Sequence, residues 1–437
     1  MLDNTLIPAV DGPKLAVPSS TGMREKWTGA MLDQTGRAYC GAIRLDFSPS
    51  CVAQKVYCAI ADTLARHAIL AAKFDIEADE LVGYAPEEAQ LREVLLKHLA
   101  IEHTGMTDGS FLSYRAKKAN IPGLRLASVT DDTGLHVWIG FWIFTCDGAS
   151  IDLLMQDIVD RYNGKTSVSS QCWGEYIKLK SSSPNKHLVS EQERLLAYPA
   201  PGPYGLDAIR KPQASTSLKM QSVHFNTSVP RIKLLACAKA YRVTPFVLMF
   251  GAFQRAVCAL SKVKTVVTGV PFANRLENDD LNVVGPLSIT VPVTTTHRLD
   301  EGITAELKGL QRSVISAASR QQIEPSYLYP QGISPRTAAY ALPFPQLFNA
   351  WNSKSDGKTM PLSKTESLTM KLLPNDTCRV GFEITLDDNS DNISGRIDMD
   401  FGLYEGLAEP VIKYITDELK EICENYHHET LEALSDG

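Results

Sequence analysis

The segment Val137–Thr145 is apolar on both of its alternating faces and runs without a break into Cys146-Asp147-Gly148. Directly after it, Ile151, Leu154 and Ile158 recur at helical spacing up to Asn163-Gly164. A strand apolar on both faces must be covered on both sides, and a helix following at once is the simplest cover. The pattern predicts a layered α/β arrangement with a sharp strand-to-helix turn at Asp147-Gly148. The same alternation recurs elsewhere. Val52, Val56, Ile60 and Leu64 mark one face of a helix ending near Arg66-His67. Thr244-Pro245 reads as a cap followed by proline at the first helical position, opening a helix to about Leu260. Strands are expected at Thr265–Val270, Leu287–Val293, Arg379–Asp387 and Ile393–Asp400, and a last helix carries Val411, Ile415, Leu419 and Ile422 on one stripe.

Between these halves lies Tyr198-Pro-Ala-Pro-Gly-Pro-Tyr-Gly205, followed by a polar stretch to Lys219. It reads as a connector, giving an N-terminal lobe over 1–197, a linker over 198–219 and a C-terminal lobe over 220–437. Further polar loops are expected at Ser353–Ser367 and Asp387–Ser394.

Composition narrows the function classes. With 44% hydrophobic and 22% charged residues the chain is of ordinary globular type, and a net charge of −6 offers no basic field for nucleic acid or an anionic membrane. No apolar run reaches the ~18 residues of a membrane span, and the start lacks the basic-then-apolar pattern of a secretory signal. Nine scattered cysteines without a C-x-x-C pair suit reduced thiols in a cytoplasmic protein. The histidines form no H-x-x-x-H or H-E-x-x-H spacing, so neither a metal nor another cofactor is expected.

Three motifs fail on inspection. Asn163-Gly-Lys-Thr166 lacks the first glycine of a phosphate loop, since position 159 is Val. Asp400-Phe-Gly402 has no accompanying glycine-rich loop or H-R-D segment, and no G-x-S-x-G elbow occurs.

Several segments, taken in order, resemble the condensation domains of nonribosomal peptide synthetases. Arg66-His-Ala-Ile-Leu-Ala-Ala-Lys-Phe74 is similar to that family's R-H-x-x-L-R-x-x-F segment. Phe141-Trp-Ile-Phe-Thr-Cys-Asp-Gly-Ala-Ser150 falls where the family carries H-H-x-x-x-D-G. Gly269-Val-Pro-Phe-Ala-Asn-Arg275, with Val284-Gly-Pro-Leu287 and Val291-Pro-Val293, is similar to its G-x-P-x-x-x-R … G-x-x-x-x-x-x-P segment. Gln322-Ile-Glu-Pro325 and Pro345-Gln-Leu-Phe-Asn349 echo two later stretches. The resemblance implies two chloramphenicol acetyltransferase-like lobes in a V, with a central tunnel and the D-G motif at its middle.

In that family the second histidine of the motif assists attack on an acyl thioester, a task that suits an imidazole. Here Trp142 and Ile143 stand in place of the two histidines. Ile143 has no heteroatom and cannot carry a proton. His136 is seven residues upstream on the same expected strand, about 23 Å away at ~3.3 Å per residue, and cannot take over. His67 matches the R-H segment and reads as a helix-end residue. Cys146 is a weak catalytic candidate against packing of a buried thiol.

Asp147 has two readings, a replacement acid or base, or a structural brace to Arg275 as the resemblance implies; Gly148 would ease the turn. By the same resemblance Ile143, Ser288, Thr290, Asn349 and Asn352 line the tunnel and orient a substrate, with Trp142, Ile143 and Trp351 as contact surfaces. Ser288 and Thr290 are equally explained as same-face residues of one strand, and Trp142 with Trp138 as core.

Three functions remain open. The first is a specialised-metabolite enzyme that shapes a small organic intermediate for ring closure, a cyclase of pericyclic or Diels–Alder type; orientation alone can supply ~7–11 kcal/mol. It is favoured by the missing base and by a chain without an attached carrier or adenylation domain. The second is an acyltransferase forming an amide or ester by a non-histidine route, with a carrier protein presenting the thioester. The third is a non-catalytic binding module.

Overall fold

The computed structural model describes residues 4–8, 10, 13–114, 123–165, 170–180, 204–210, 220–297, 302–321, 323, 344–351, 355–374, 377, 379–387 and 390–435. Side chains are described for these residues except 21, 351 and 425–435.

The strands in chain order are β1 (Lys14–Pro18), β2 (Cys40–Phe47), β3 (Lys73–Glu77), β4 (Glu80–Pro86), β5 (Arg125–Asp131), β6 (Gly134–Trp142) and β7 (Met220–Pro230). They continue as β8 (Thr265–Phe272), β9 (Ile289–Thr296), β10 (Gln346–Trp351), β11 (Thr359–Pro361), β12 (Ser367–Leu372), β13 (Phe382–Asp387) and β14 (Asn392–Asp400). The chain divides into two units that do not follow chain order. One is built from 1–186 together with 273–288 and 353–375; the other takes 187–272, 289–352 and 376–437. Most of the connector expected over 198–219 lies outside the described residues.

The first unit carries an antiparallel five-stranded sheet in the order β11-β12-β2-β6-β5 and a small sheet β1-β4-β3. β6 pairs on both sides, with residues 137–142 buried throughout, as an apolar run on both faces requires. One face holds the main core. The other covers a smaller cluster of Ala42, Phe111, Ala127, Trp138 and Leu373. The expected polar loop at Ser353–Ser367 contains β11 and leads into β12, so this late segment completes a sheet begun by β2.

The second unit holds a mixed six-stranded sheet, β7-β14-β13-β10-β8-β9, in which β10 runs parallel to both β13 and β8. The helix Pro245–Ser261 and the final helix Ala408–Ser435 supply much of its core. Thr244 caps the former through its side chain, with Pro245 in the first turn. No single helix among the described residues is long and apolar enough to cross a membrane.

Four local expectations are corrected. Val52, expected on a helix face, is the exposed N-cap that precedes the helix Ala53–Arg66, and the strand expected from Arg379 begins at Phe382. The strand expected to reach Thr145 stops at Trp142, because the Thr145 amide and its Oγ1 both donate to the Trp142 carbonyl at 2.9 Å and fold residues 143–145 into a turn. The strand expected from Leu287 begins at Ile289, so Ser288 lies before it and does not share its pleat with Thr290.

Candidate functional site

The turn after β6 delivers Asp147 to the N-terminus of the helix Gly148–Tyr162, where its side chain caps the Ser150 amide at 2.9 Å. Gly148 takes the first helical position without a left-handed backbone, so the conformational freedom expected of it is not used. Asp147 is 5% exposed, and a carboxylate so buried requires partners. It has them on both oxygens. Oδ1 accepts from Arg275 Nη2 at 2.9 Å and from the Ser150 hydroxyl at 2.7 Å; Oδ2 accepts from the Ser288 amide at 2.9 Å. The carboxylate thus ties its own helix start to the Arg275 guanidinium and the Ser288 backbone by charge-assisted bonds.

Arg275 is held as firmly. Its Nη1 donates to the carbonyls of Asp280 at 2.5 Å and Val283 at 2.8 Å, which folds the segment 273–288 around the guanidinium. Ser150 is fully buried, and its hydroxyl accepts from the Gly285 amide at 2.9 Å. Further along, Tyr176 donates to Asp280 Oδ1 at 2.9 Å, and the Lys180 ammonium reaches the same oxygen at 3.1 Å. The Asp147-Gly148 turn and the Arg275 segment are therefore one hydrogen-bonded body within the first unit.

Ile143 occupies the first position of the turn, half-buried and packed against the core, with its amide donating to the Tyr39 carbonyl at 2.9 Å. Trp142 is 3% exposed and stacked on Phe144 with ring centroids 5.2 Å apart. Its ring faces belong to the core, which leaves little surface for the substrate contact expected of it. Trp138 is also buried, and its indole donates to Asp108 at 2.9 Å.

The other ionisable groups considered from sequence are engaged or suppressed. Burial pushes the Cys146 thiol well above its usual range, the Asp147 charge adds to this, and Arg275 and Lys26 oppose it. A neutral, buried thiol is a poor nucleophile, which counts against the catalytic reading of Cys146. His67 is fully buried, its Nε2 3.0 Å from the Ser170 hydroxyl and 3.4 Å from Asp157. Burial holds its pKa below the ordinary imidazole value in spite of Asp157. His136 is bound at the far end of β6 by Asp46, with its Nδ1 2.6 Å from the carboxylate.

In the second unit, Thr290 and Asn349 sit on β9 and β10, the two strands that flank β8. Thr290 is 8% exposed and pairs with Pro271; Asn349 is half-buried and pairs with Thr385. Asn352 and the side chain of Trp351 lie outside what is described.

One group escaped the sequence reading. Lys26, on the helix Thr21–Leu32, donates from Nζ to the Ser288 carbonyl at 2.5 Å and to the Ser288 hydroxyl at 3.1 Å. Ser288 is itself tied to Asp147, so a cation stands beside the motif loop. An ammonium has donors only and supplies no base. Nothing in the local pattern marks this lysine, because its partner is 262 residues away. Among the described residues no group of three or more histidine, cysteine, aspartate or glutamate side chains could hold a metal ion.

No family model matches the sequence, and neither does any curated protein. Solved structures do. The first condensation domain of the CDA synthetase aligns with a TM-score of 0.68 and 14% identity over 94% of this chain and 97% of its own. The four-domain nonribosomal peptide synthetase AB3403, solved bound to AMP and glycine, gives 0.74 and 14% over 96% of this chain and 34% of its own. The epimerization domain from the third module of tyrocidine synthetase B gives 0.67 and 12% over 94% and 98%. At these identities the likeness is one of fold: a mixed α/β architecture of the condensation-domain, chloramphenicol acetyltransferase-like type.

Proposed function

Taking the condensation-domain fold as premise, we propose that this protein is a biosynthetic enzyme that binds a small organic intermediate and shapes it for ring closure without a general base. The observation that carries the reading is the state of the motif loop. The position of the second histidine holds Ile143, and the reading is supported by its ionisable neighbours being engaged elsewhere or suppressed: Asp147 is bound on both oxygens, Cys146 is buried and neutral, and His67 is held by Ser170 and Asp157. A reaction limited by the folding of its substrate gains from orientation, up to ~7–11 kcal/mol, and loses nothing when the base is gone. An aliphatic group in place of an imidazole also suits an apolar substrate chain.

A second reading is supported by the solved neighbours that are condensation domains, and by the Lys26 ammonium beside the loop. In it the protein forms an amide or ester from a thioester presented by a carrier protein, with a donor stabilising the tetrahedral oxyanion in place of a base.

The deciding experiment incubates the purified protein with a linear precursor, once free and once loaded on a phosphopantetheinylated carrier with an amine acceptor, and follows products by mass spectrometry. Conversion of the free precursor to an isomer of equal mass supports ring closure. Product formed only from the loaded carrier, with loss of the thiol arm, supports acyl transfer and overturns the first reading.

A further inference from the structure

From the contacts of Lys26 and Ser288 we infer that these two residues form a charge-assisted hydrogen-bond donor for a carbonyl oxygen of the substrate, with Ser288 touching the oxygen and Lys26 strengthening it as a positioning residue. The inference rests on the ring-closure reading and names its substrate class: an apolar molecule whose reacting alkene is conjugated to a ketone, ester or lactone carbonyl.

The Ser288 hydroxyl is the donating group. Its oxygen accepts from Lys26 Nζ at 3.1 Å, and its own proton has no acceptor among the described residues. A hydroxyl that accepts from a cation becomes a better donor, because the bond polarises its O–H. The residue is half-buried, so that proton is neither sealed in the core nor lost in bulk water.

The hydroxyl is also held still. The Ser288 amide donates to Asp147 Oδ2 at 2.9 Å, and its carbonyl accepts from Lys26 at 2.5 Å, so the backbone is fixed on both sides of the side chain. Asp147 is fixed in turn by Arg275 and by its place at a helix N-terminus. A donor fixed in this way costs no reorganisation when charge develops on a substrate oxygen, which is the condition for electrostatic catalysis.

The surroundings agree. Lys26 lies one turn before Gly29, over which the Tyr39 ring sits, and the Tyr39 carbonyl receives the Ile143 amide. The donor pair and the aliphatic turn therefore belong to one local assembly of the first unit, apolar at Ile143 and carrying the ammonium of Lys26. Hydrogen bonding to the carbonyl of a conjugated alkene withdraws electron density from the alkene and accelerates its ring closure. No proton is transferred and no base is required.

The test uses the full chain and a probe that needs no turnover: dimethylaminobenzylidene acetone, an enone whose visible absorption moves to longer wavelength when its carbonyl accepts a strong hydrogen bond. Binding is followed by equilibrium dialysis and the band position by absorbance. The wild type is expected to bind the probe and shift its band to the red. Ser288→Ala should abolish the shift, Lys26→Met should reduce it, and Lys26→Arg should restore part of it. Thermal melts establish that each variant is folded; if Lys26→Met does not fold, the comparison of Lys26→Arg with Ser288→Ala still decides. A band left at its position in buffer up to the solubility limit of the probe overturns the inference, as does a Ser288→Ala shift equal to that of the wild type. The spectral result is independent of the precursor assay, so the donor pair and the ring-closure reading can fail separately.

Discussion

Gly285 lies beneath the Trp173 ring so closely that a methyl group on its α-carbon would overlap ring carbon Cε3. The ring is not free to retreat, since Trp173 is buried and its indole donates to the Pro18 carbonyl at 2.7 Å. The glycine of Val284-Gly-Pro-Leu287 is thus a close-approach glycine, and its amide and carbonyl are both within hydrogen-bond distance of the buried Ser150 hydroxyl. Gly285→Ala is expected to cost roughly 1–3 kcal/mol by overpacking, measured by urea denaturation. An unchanged midpoint would show that the ring can move.

The ion pair of Asp147 and Arg275 is almost fully removed from water, with side-chain exposures of 2% and 6%. Breaking one side leaves the other charge unpaired, so Asp147→Asn should lower stability by roughly 3–5 kcal/mol although asparagine is itself a good cap. The double variant Asp147→Asn, Arg275→Leu should lose clearly less than the sum of the two single losses. A double-mutant cycle in urea reads the difference. A stable but wholly inactive Asp147→Asn protein would instead speak for a role in catalysis.

Cys146 is expected to resist iodoacetamide in the native protein and to react once the chain is unfolded, because its thiol is buried and held neutral. Peptide mass spectrometry after timed alkylation gives the answer. Rapid native labelling would make Cys146 a candidate nucleophile again.

Ile143→His restores the imidazole that the resemblance leads one to look for. In a base-free ring closure it should leave the rate unchanged or lower it, since a polar ring replaces an apolar contact. Product analysis with a loaded carrier and an amine checks the other side: a large gain in amide formation would mean that the scaffold had been waiting for a base.

Asp398 supplies a pH signature in the second unit. Its carboxyl is pushed from 3.8 up to about 6, first by burial and further by Glu383 opposite it, against the pull of Arg396 and Ser222. Between those two values the folded chain holds a proton that the unfolded chain has released. Stability should therefore fall as pH rises from about 4 to about 6 and level off above, by roughly 3 kcal/mol at 1.36 kcal/mol per unit. Asp398→Asn should flatten that slope in urea titrations across the range. A slope equal to that of the wild type would assign it to other groups.

The readable parts of the sequence were those whose physics is local. Thr244 and Pro245 announce a helix start by cap and fixed φ, and of Val52, Val56, Ile60 and Leu64 the last three form the buried face that their spacing announces, whereas Val52 precedes the helix and is exposed; the helices are Pro245–Ser261 and Ala53–Arg66. The end of β6 was not readable. Phe141 to Phe144 stays apolar through the turn, and the stop comes from the Thr145 hydroxyl and amide turning back on Trp142. Likewise Ile143 could be located by its distance from Asp147-Gly148, whereas Lys26 could not be placed at all. On an ordinary helix it looks like any solvated lysine, and only the folded chain brings it to Ser288.

The assembly of the first unit from three stretches has a consequence for the growing polypeptide. While residues 273–288 are still inside the ribosome, Asp147 has no guanidinium to meet, and until about residue 372 has emerged β2 lacks its neighbour β12. The N-terminal portion thus waits, with a buried carboxylate unpaired and a sheet edge uncovered, for most of the chain to be made. A nascent chain halted near residue 200 should accordingly be a substrate for chaperones and proteases rather than a finished half.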